Sequence, residues 1–252
     1  MEPVLEIRNV SHVYGADTPF EHVALDNVSL SVGRGEFVGL IGHTGSGKST
    51  IAKLLLRFHD VTSGGVRVGG TDVRDQTQDA LRAQIAYVPQ KAWLFSGTIA
   101  QNLRHGRADA TDEELWHALD VAQADFVRGL PDGLGSRVAQ GGSNFSGGQR
   151  QRLAIARALV RHVGLYVFDD SFSALDFRTD AALRRALAPE LAHAATLVIA
   201  QRVSTIRDAD QIVVLSEGRV VGLGTHDELM RTCPTYKEIA DSQARGGEQN
   251  DD

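Results

Sequence analysis

The sequence predicts an α/β fold, a mostly parallel sheet that is preceded by antiparallel strands and interrupted by a helical insert. Three observations predict it. Phe37-Val38-Gly39-Leu40-Ile41 is a continuous apolar run, the mark of a strand buried on both faces, and a glycine-rich loop and a helical stretch follow it directly. Comparable apolar runs return late in the chain at Gly164–Asp169, Thr196–Ala200 and Gln211–Leu215. Between the two groups, from Gln90 to Arg157, helical patterns dominate and strand signals are few. Strand–helix alternation at both ends of such an insert is the pattern of a parallel α/β core carrying a helical subdomain.

Each element has its own signal. Val4–Val10 and Leu25–Val32 alternate apolar and polar residues, as half-buried antiparallel strands do. Lys48–Phe58 reads as a helix with Leu54, Leu55 and Phe58 on one side. Asp112–Ala122 reads as a second helix with Thr111 as its N-cap. Ser146 and Gln149 have the spacing of a capping box in front of the periodic stretch Leu153–Val160. The run ending at Leu215 enters a turn at Ser216-Glu217-Gly218-Arg219.

The 252 residues, 42% hydrophobic and 23% charged, suffice for a sizeable core and exclude disordered, collagen-like and coiled-coil chains. No apolar run approaches the roughly 18 residues of a membrane span, and no basic segment followed by an apolar one marks a secretory signal. The single cysteine, Cys233, excludes a disulfide framework and a cysteine zinc site. A net charge of −6 argues against nucleic acid as a partner. Five acids and Arg245 between Glu238 and Asp252 place −4 of that charge in a polar tail expected to fray. Arginine outnumbers lysine 22 to 4, a composition that fits a GC-rich bacterial genome. Together these features predict a soluble intracellular domain, and the start at Met1, a few residues before the first strand, suggests a domain cut from a longer polypeptide.

Gly42-His43-Thr44-Gly45-Ser46-Gly47-Lys48-Ser49, with Thr50 after it, fits the P-loop pattern G-x-x-x-x-G-K-[ST]. A buried strand leads in and a helix leads out, so successive backbone N–H groups and the positive end of a helix face the phosphates of a nucleotide. Lys48 brings a point charge to the β- and γ-phosphates and Ser49 offers a hydroxyl to Mg²⁺. Leu165-Tyr166-Val167-Phe168-Asp169 is a buried run ending in a carboxylate, and beside a P-loop it reads as a Walker B strand whose Asp169 holds Mg²⁺. Asn144-Phe145-Ser146-Gly147-Gly148-Gln149-Arg150-Gln151-Arg152 opens another helix, and its two glycines and following basic and amide groups exceed what a cap requires. A second exposed helix N-terminus of this kind can bind a γ-phosphate supplied by another molecule.

With P-loop, Ser146–Gln149 motif and Walker B strand following one another in the chain, and 56 residues from Gln90 to Ser146, the chain resembles the nucleotide-binding domain of an ATP-binding-cassette transporter over residues 4–240. The resemblance implies a P-loop NTPase (RecA-like) core over 1–89 and 158–240, an antiparallel β subdomain, a helical signature subdomain over 90–157 and a polar tail over 241–252. It implies ATP and Mg²⁺ as ligands, with Gln90 as the Q-loop glutamine at the metal and Tyr14 as the aromatic that stacks on adenine. It implies that Ser146, Gly147, Gly148 and Gln149 contact the nucleotide of a second domain, and that Ser173-Ala174-Leu175-Asp176 is the D-loop that crosses to it. Leu94-Phe95-Ser96-Gly97-Thr98-Ile99 and Gly224-Thr225-His226-Asp227-Glu228-Leu229 are similar to segments of the exporter branch, where the first faces the transmembrane domain. The place implied is the cytoplasmic face of a bacterial membrane, with no nucleic-acid partner.

Two positions depart from that family's pattern. After Asp169 a glutamate is expected as general base, and Asp170 stands there. In Val198-Ile199-Ala200-Gln201-Arg202 a switch histidine is expected, and Gln201 stands there, a side chain that hydrogen-bonds but carries no proton. Loss of both groups that handle the attacking water resembles the pattern of heterodimeric exporters, and that resemblance implies that one of two head-to-tail ATP sites is degenerate. Arg137 and Gln140, where acids are common, depart as well. The competing reading is a fully active ATPase of a homodimeric exporter. A DNA-repair or chromosome-structuring ATPase is disfavoured, because no coiled coil or cysteine zinc module separates P-loop and signature.

Overall fold

The computed structural model describes residues 2–248. The first part comprises β1 (Leu5–Tyr14), β2 (His22–Val32), β3 (Phe37–Gly42), α1 (Lys48–Leu55), β4 (Ser63–Val68), β5 (Thr71–Asp72), α2 (Gln78–Ala83) and β6 (Ile85–Val88). The middle holds β7 (Gly97–Thr98), α3 (Ile99–Arg104), α4 (Asp112–Val121), β8 (Arg137–Val138) and α5 (Gly147–Leu159). The last part comprises β9 (Leu165–Asp169), α6 (Phe177–Leu191), β10 (Ala195–Ile199), α7 (Val203–Ile206), β11 (Gln211–Ser216), β12 (Arg219–Gly224), α8 (His226–Thr232) and α9 (Pro234–Glu248).

A six-stranded sheet runs β12-β11-β3-β10-β9-β6. Its strands are parallel except β12, which returns antiparallel along β11 through the expected turn. A second, antiparallel sheet runs β2-β1-β4-β5. The two pack over a shared core, and strand periodicity divides the side chains between faces. Leu165, Val167, Leu197 and Ile199 face the antiparallel sheet and α1, whereas Tyr166, Phe168 and Val198 face the opposite cluster, to which helices of the middle and last parts contribute. Strands buried on both sides explain the unbroken apolar runs. No helix among the described residues is long and apolar enough to cross a membrane.

Three expectations need correction. Helix α1 ends at Leu55, and Phe58 is 54% exposed instead of lying on the buried side with Leu54 and Leu55. Arg57 takes a left-handed φ of 52° and Phe58 N–H donates back to the Lys53 carbonyl at 2.8 Å, a Schellman closure built on a non-glycine residue. The Arg57 guanidinium holds that turn by donating to the Gln76 carbonyl at 2.9 Å. Secondly, the strands extend beyond the alternating runs Val4–Val10 and Leu25–Val32, β1 reaching Tyr14 and β2 starting at His22. Thirdly, the tail expected to fray from about Glu238 continues as α9 through Glu248, anchored by buried Tyr236 and Ile239. Residues 249–252 of that tail lie outside the described residues.

Candidate nucleotide-binding site

The carboxyl ends of parallel strands form the crevice in which open α/β sheets bind ligands. Here the loop after β3, the turn after β9 and the loop after β10 meet in one cavity of about 320 Å³. Tyr14, Thr44, Gly45, Ser46, Gly47, Lys48, Ser49 and Thr50 line one side, and Gln90, Asp169, Asp170 and Gln201 the other.

The glycine-rich loop is locked from inside. Gly47 has φ 100°, and a Cβ there would stand 2.5 Å from the Ala24 carbonyl oxygen, so only glycine fits the start of α1. Lys48 Nζ donates to the carbonyls of Gly42 (2.5 Å) and His43 (2.8 Å) and to Ser46 Oγ (3.3 Å). Gly42 and His43 therefore shape the loop through their carbonyls without lining the cavity. Burial lowers the Lys48 pKa, and the charges of Asp170 and Asp169 oppose that shift.

Opposite lie two consecutive carboxylates, both buried. Asp169 ends β9, and Asp170 takes a left-handed φ of 49° as its N–H donates to the Ile199 carbonyl at 2.8 Å. That turn lets successive residues share one cavity. Burial raises the Asp169 pKa, Asp170 adds to the shift, and the Tyr87 hydroxyl, donating to Asp169 Oδ2 at 3.0 Å, opposes it. Burial first, and then Asp169, push the Tyr87 phenol well above its ordinary value. Gln90 Nε2 and Gln201 Nε2 both donate to Asp170 Oδ2, at 2.8 and 2.7 Å. Gln90, expected at the metal, thus meets Asp170 and not Asp169.

The cavity suits a magnesium nucleotide. A main-chain cradle with one lysine faces anionic groups, and hydroxyl, amide and carboxylate oxygens are hard donors of the kind Mg²⁺ takes. Tyr14 sits at the rim, its hydroxyl donating to Thr50 Oγ1 at 3.4 Å and its ring edge-on to His12 at 4.5 Å. The signature residues Ser146, Gly147, Gly148 and Gln149 are not brought into this cavity. They open α5 through the expected capping box, Gln149 N–H donating to Ser146 Oγ at 3.2 Å and Ser146 N–H to Gln149 Oε1 at 2.9 Å. Ser146 and Gly147 face outward and exposed.

Fold and site together define a P-loop ATPase. The chain belongs to the ABC transporter family, whose model matches residues 25–173. It is 48% identical over 246 residues to an uncharacterised ABC transporter ATP-binding protein of Mycobacterium tuberculosis, covering 96% of this chain and 41% of that protein. An ATP-dependent lipid A-core flippase of Photobacterium profundum is 41% identical, covering 93% of this chain and 40% of its own. A bacterial Atm1-family ABC exporter solved with ATP bound superposes with a TM-score of 0.90 at 39% identity, covering 96% of this chain and 42% of that one. The chain therefore spans about two fifths of the length of these relatives. It is an ATP-binding domain homologous to those of ABC exporters, and as such an ATPase domain.

Tyr87 was not visible in the sequence as a site residue, because one tyrosine in the four-residue strand β6 carries no signal until β6 is placed beside β9. The strain that it relieves leads to a stability prediction. Asp169 has a folded pKa above its unfolded one, so its ionisation destabilises the nucleotide-free chain as pH rises through the folded pKa. Asp169→Asn is expected to raise the nucleotide-free Tm at neutral pH by about 2–4 °C, the shift that roughly 1 kcal/mol produces in a domain of this size. That advantage should vanish below the unfolded pKa, where both states are protonated, and thermal melts across pH read it directly.

Proposed function

We propose that this chain is the ATP-binding domain of a bacterial exporter that closes head to tail on a second, non-identical nucleotide-binding domain. In this reading its own site binds ATP and hydrolyses it slowly, while its signature, Ser146–Gln149, completes the partner's competent site. The observation that carries the reading is the surroundings of Asp170. Both lone pairs of Oδ2 accept from amides, Gln90 and Gln201, and an amide neither takes nor gives a proton. The carboxylate also stands one methylene, about 1 Å of reach, behind where a glutamate would hold it.

ATP would lie along the loop 42–50 with its base against Tyr14. Ser49, Gln90 and Asp169 would hold Mg²⁺, which supplies charge neutralisation at the β- and γ-phosphates. Lys48 adds its charge to the same oxygens, and the Gly45–Ser49 amides orient them. Residues 90–157, which include the half-exposed Trp93 and Phe95, would form the subdomain that meets a transmembrane domain, on the cytoplasmic face of the membrane. Names of relatives support export, among them a multidrug efflux ATP-binding/permease protein of Mycobacterium tuberculosis, 44% identical over 93% of this chain and 19% of its own. A second reading, a competent ATPase that uses Asp170 as its base, is favoured by the presence of that carboxylate in the cavity. The two are separated by turnover of the assembled transporter after Asp170→Asn and after Ser146→Arg. The proposed function expects near-normal turnover from the first and near-complete loss from the second.

A further inference from the structure

The loop that carries Gln201 is held from three sides. Ala200 N–H donates to the Leu40 carbonyl at 2.9 Å and ties the loop to β3. On one flank Arg202 spans to the segment after β9, donating through Nη2 to the Ser173 carbonyl at 3.2 Å and through Nη1 to that of Leu175 at 3.4 Å. On the other flank stands α9. Arg202 occupies the N-cap of α7 but makes no side-chain cap, which leaves first-turn N–H groups without an intrahelical acceptor. Gln243, on α9, supplies one: its Oε1 accepts from Val203 N–H at 2.8 Å, while its Nε2 donates to the Gln201 carbonyl at 2.7 Å. A single side-chain amide therefore satisfies two main-chain groups that flank Arg202. Tyr236 and Ile239, both buried, seat the helix that presents it. The side chain at 201, fixed in this way through its own backbone, reaches Asp170.

We propose that Gln243 is a positioning residue of the nucleotide site: its amide clip sets the backbone of residues 201–203, so that the side chain at 201 meets the carboxylate at 170. The C-terminal helix is thereby part of the support of the site, although it lies on none of the nucleotide motifs. The inference rests on the role given above to position 201.

Gln243→Met keeps the length and the apolar stem and removes both bonds. In the full chain it is expected to speed amide hydrogen exchange of residues 200–206 by about tenfold, since local opening then breaks fewer bonds. In the chain repaired by Asp170→Glu and Gln201→His, whose backbone the same clip would hold, Gln243→Met is expected to lower kcat about three- to tenfold with KM for ATP within about twofold. In an Asp170→Asn chain, where no carboxylate remains to be met, it should leave the residual rate unchanged. Equal losses of rate in the repaired and the Asp170→Asn chains would mean a general structural role and overturn the proposal. Exchange at the wild-type rate in Gln243→Met overturns it whatever the rates are. Should the repair itself produce no gain, the degenerate-site reading fails separately, and the exchange rates alone decide for or against the clip.

Discussion

Replacing Asp170 by Glu and Gln201 by His in one chain is expected to raise hydrolysis at its own site by about 10²-fold or more, the low end of what a positioned general base contributes. Neither substitution should achieve this alone. Glutamate at 170 gains the missing methylene, but Gln201 Nε2, now 2.7 Å from the aspartate, would still hold the carboxylate without relaying a proton. Histidine at 201 supplies a group that can bridge carboxylate and phosphate, yet it faces an acid that stops short. The two side chains act on one water, so the double variant should exceed the product of the single ones. Steady-state rates of the four chains, each assembled with the same partner, provide the comparison. A wild-type rate already equal to that of the double variant would show that Asp170 is an adequate base.

Ser146→Arg is expected to abolish most turnover of the assembled transporter, a loss of about 10²-fold or more if it removes donors aimed at the developing charge. Ser146 and Gly147 face outward, away from this chain's own cavity, and an arginine there would thrust a bulky cation at the partner's nucleotide. Ser146 also caps α5, and losing a cap costs about 1 kcal/mol. Ser146→Ala, which loses the cap and adds nothing, separates the two effects and should retain most of the activity lost in the arginine variant. Asp170→Asn in the same assembly should leave turnover near its starting value. Comparable damage from both substitutions would mean that the two sites are equal.

The parts of the site that were legible in the sequence are those encoded by contiguous residues. An apolar run such as Phe37–Ile41 announces a doubly buried strand, and the glycine spacing of 42–49 announces the loop after it; the structure places that strand inside the six-stranded sheet, with the loop at its carboxyl end lining the cavity. Asp170 and Gln201 are singled out by the family resemblance, as the residues that stand where it implies a glutamate and a histidine. What could not be read is what topology creates. Tyr87 reaches Asp169 only because β6 pairs with β9. Gln243 reaches the Gln201 loop from 42 residues away, out of a polar stretch whose composition argues for fraying. Phe58 fits a helical period, but the left-handed Arg57 ends the helix first, stabilised by carbonyls of a distant turn that no local pattern reveals.

The central claim is that the two ATP sites of the assembled transporter are unequal, and that the slow one belongs to this chain. The most direct measurement is a single-turnover experiment on the transporter loaded with ATP at both sites, followed by separation of the nucleotides retained on each chain. The account predicts ADP at the partner's P-loop while ATP remains at the site built from Lys48, Asp169 and Asp170. Conversion of both nucleotides to ADP at comparable rates would contradict it.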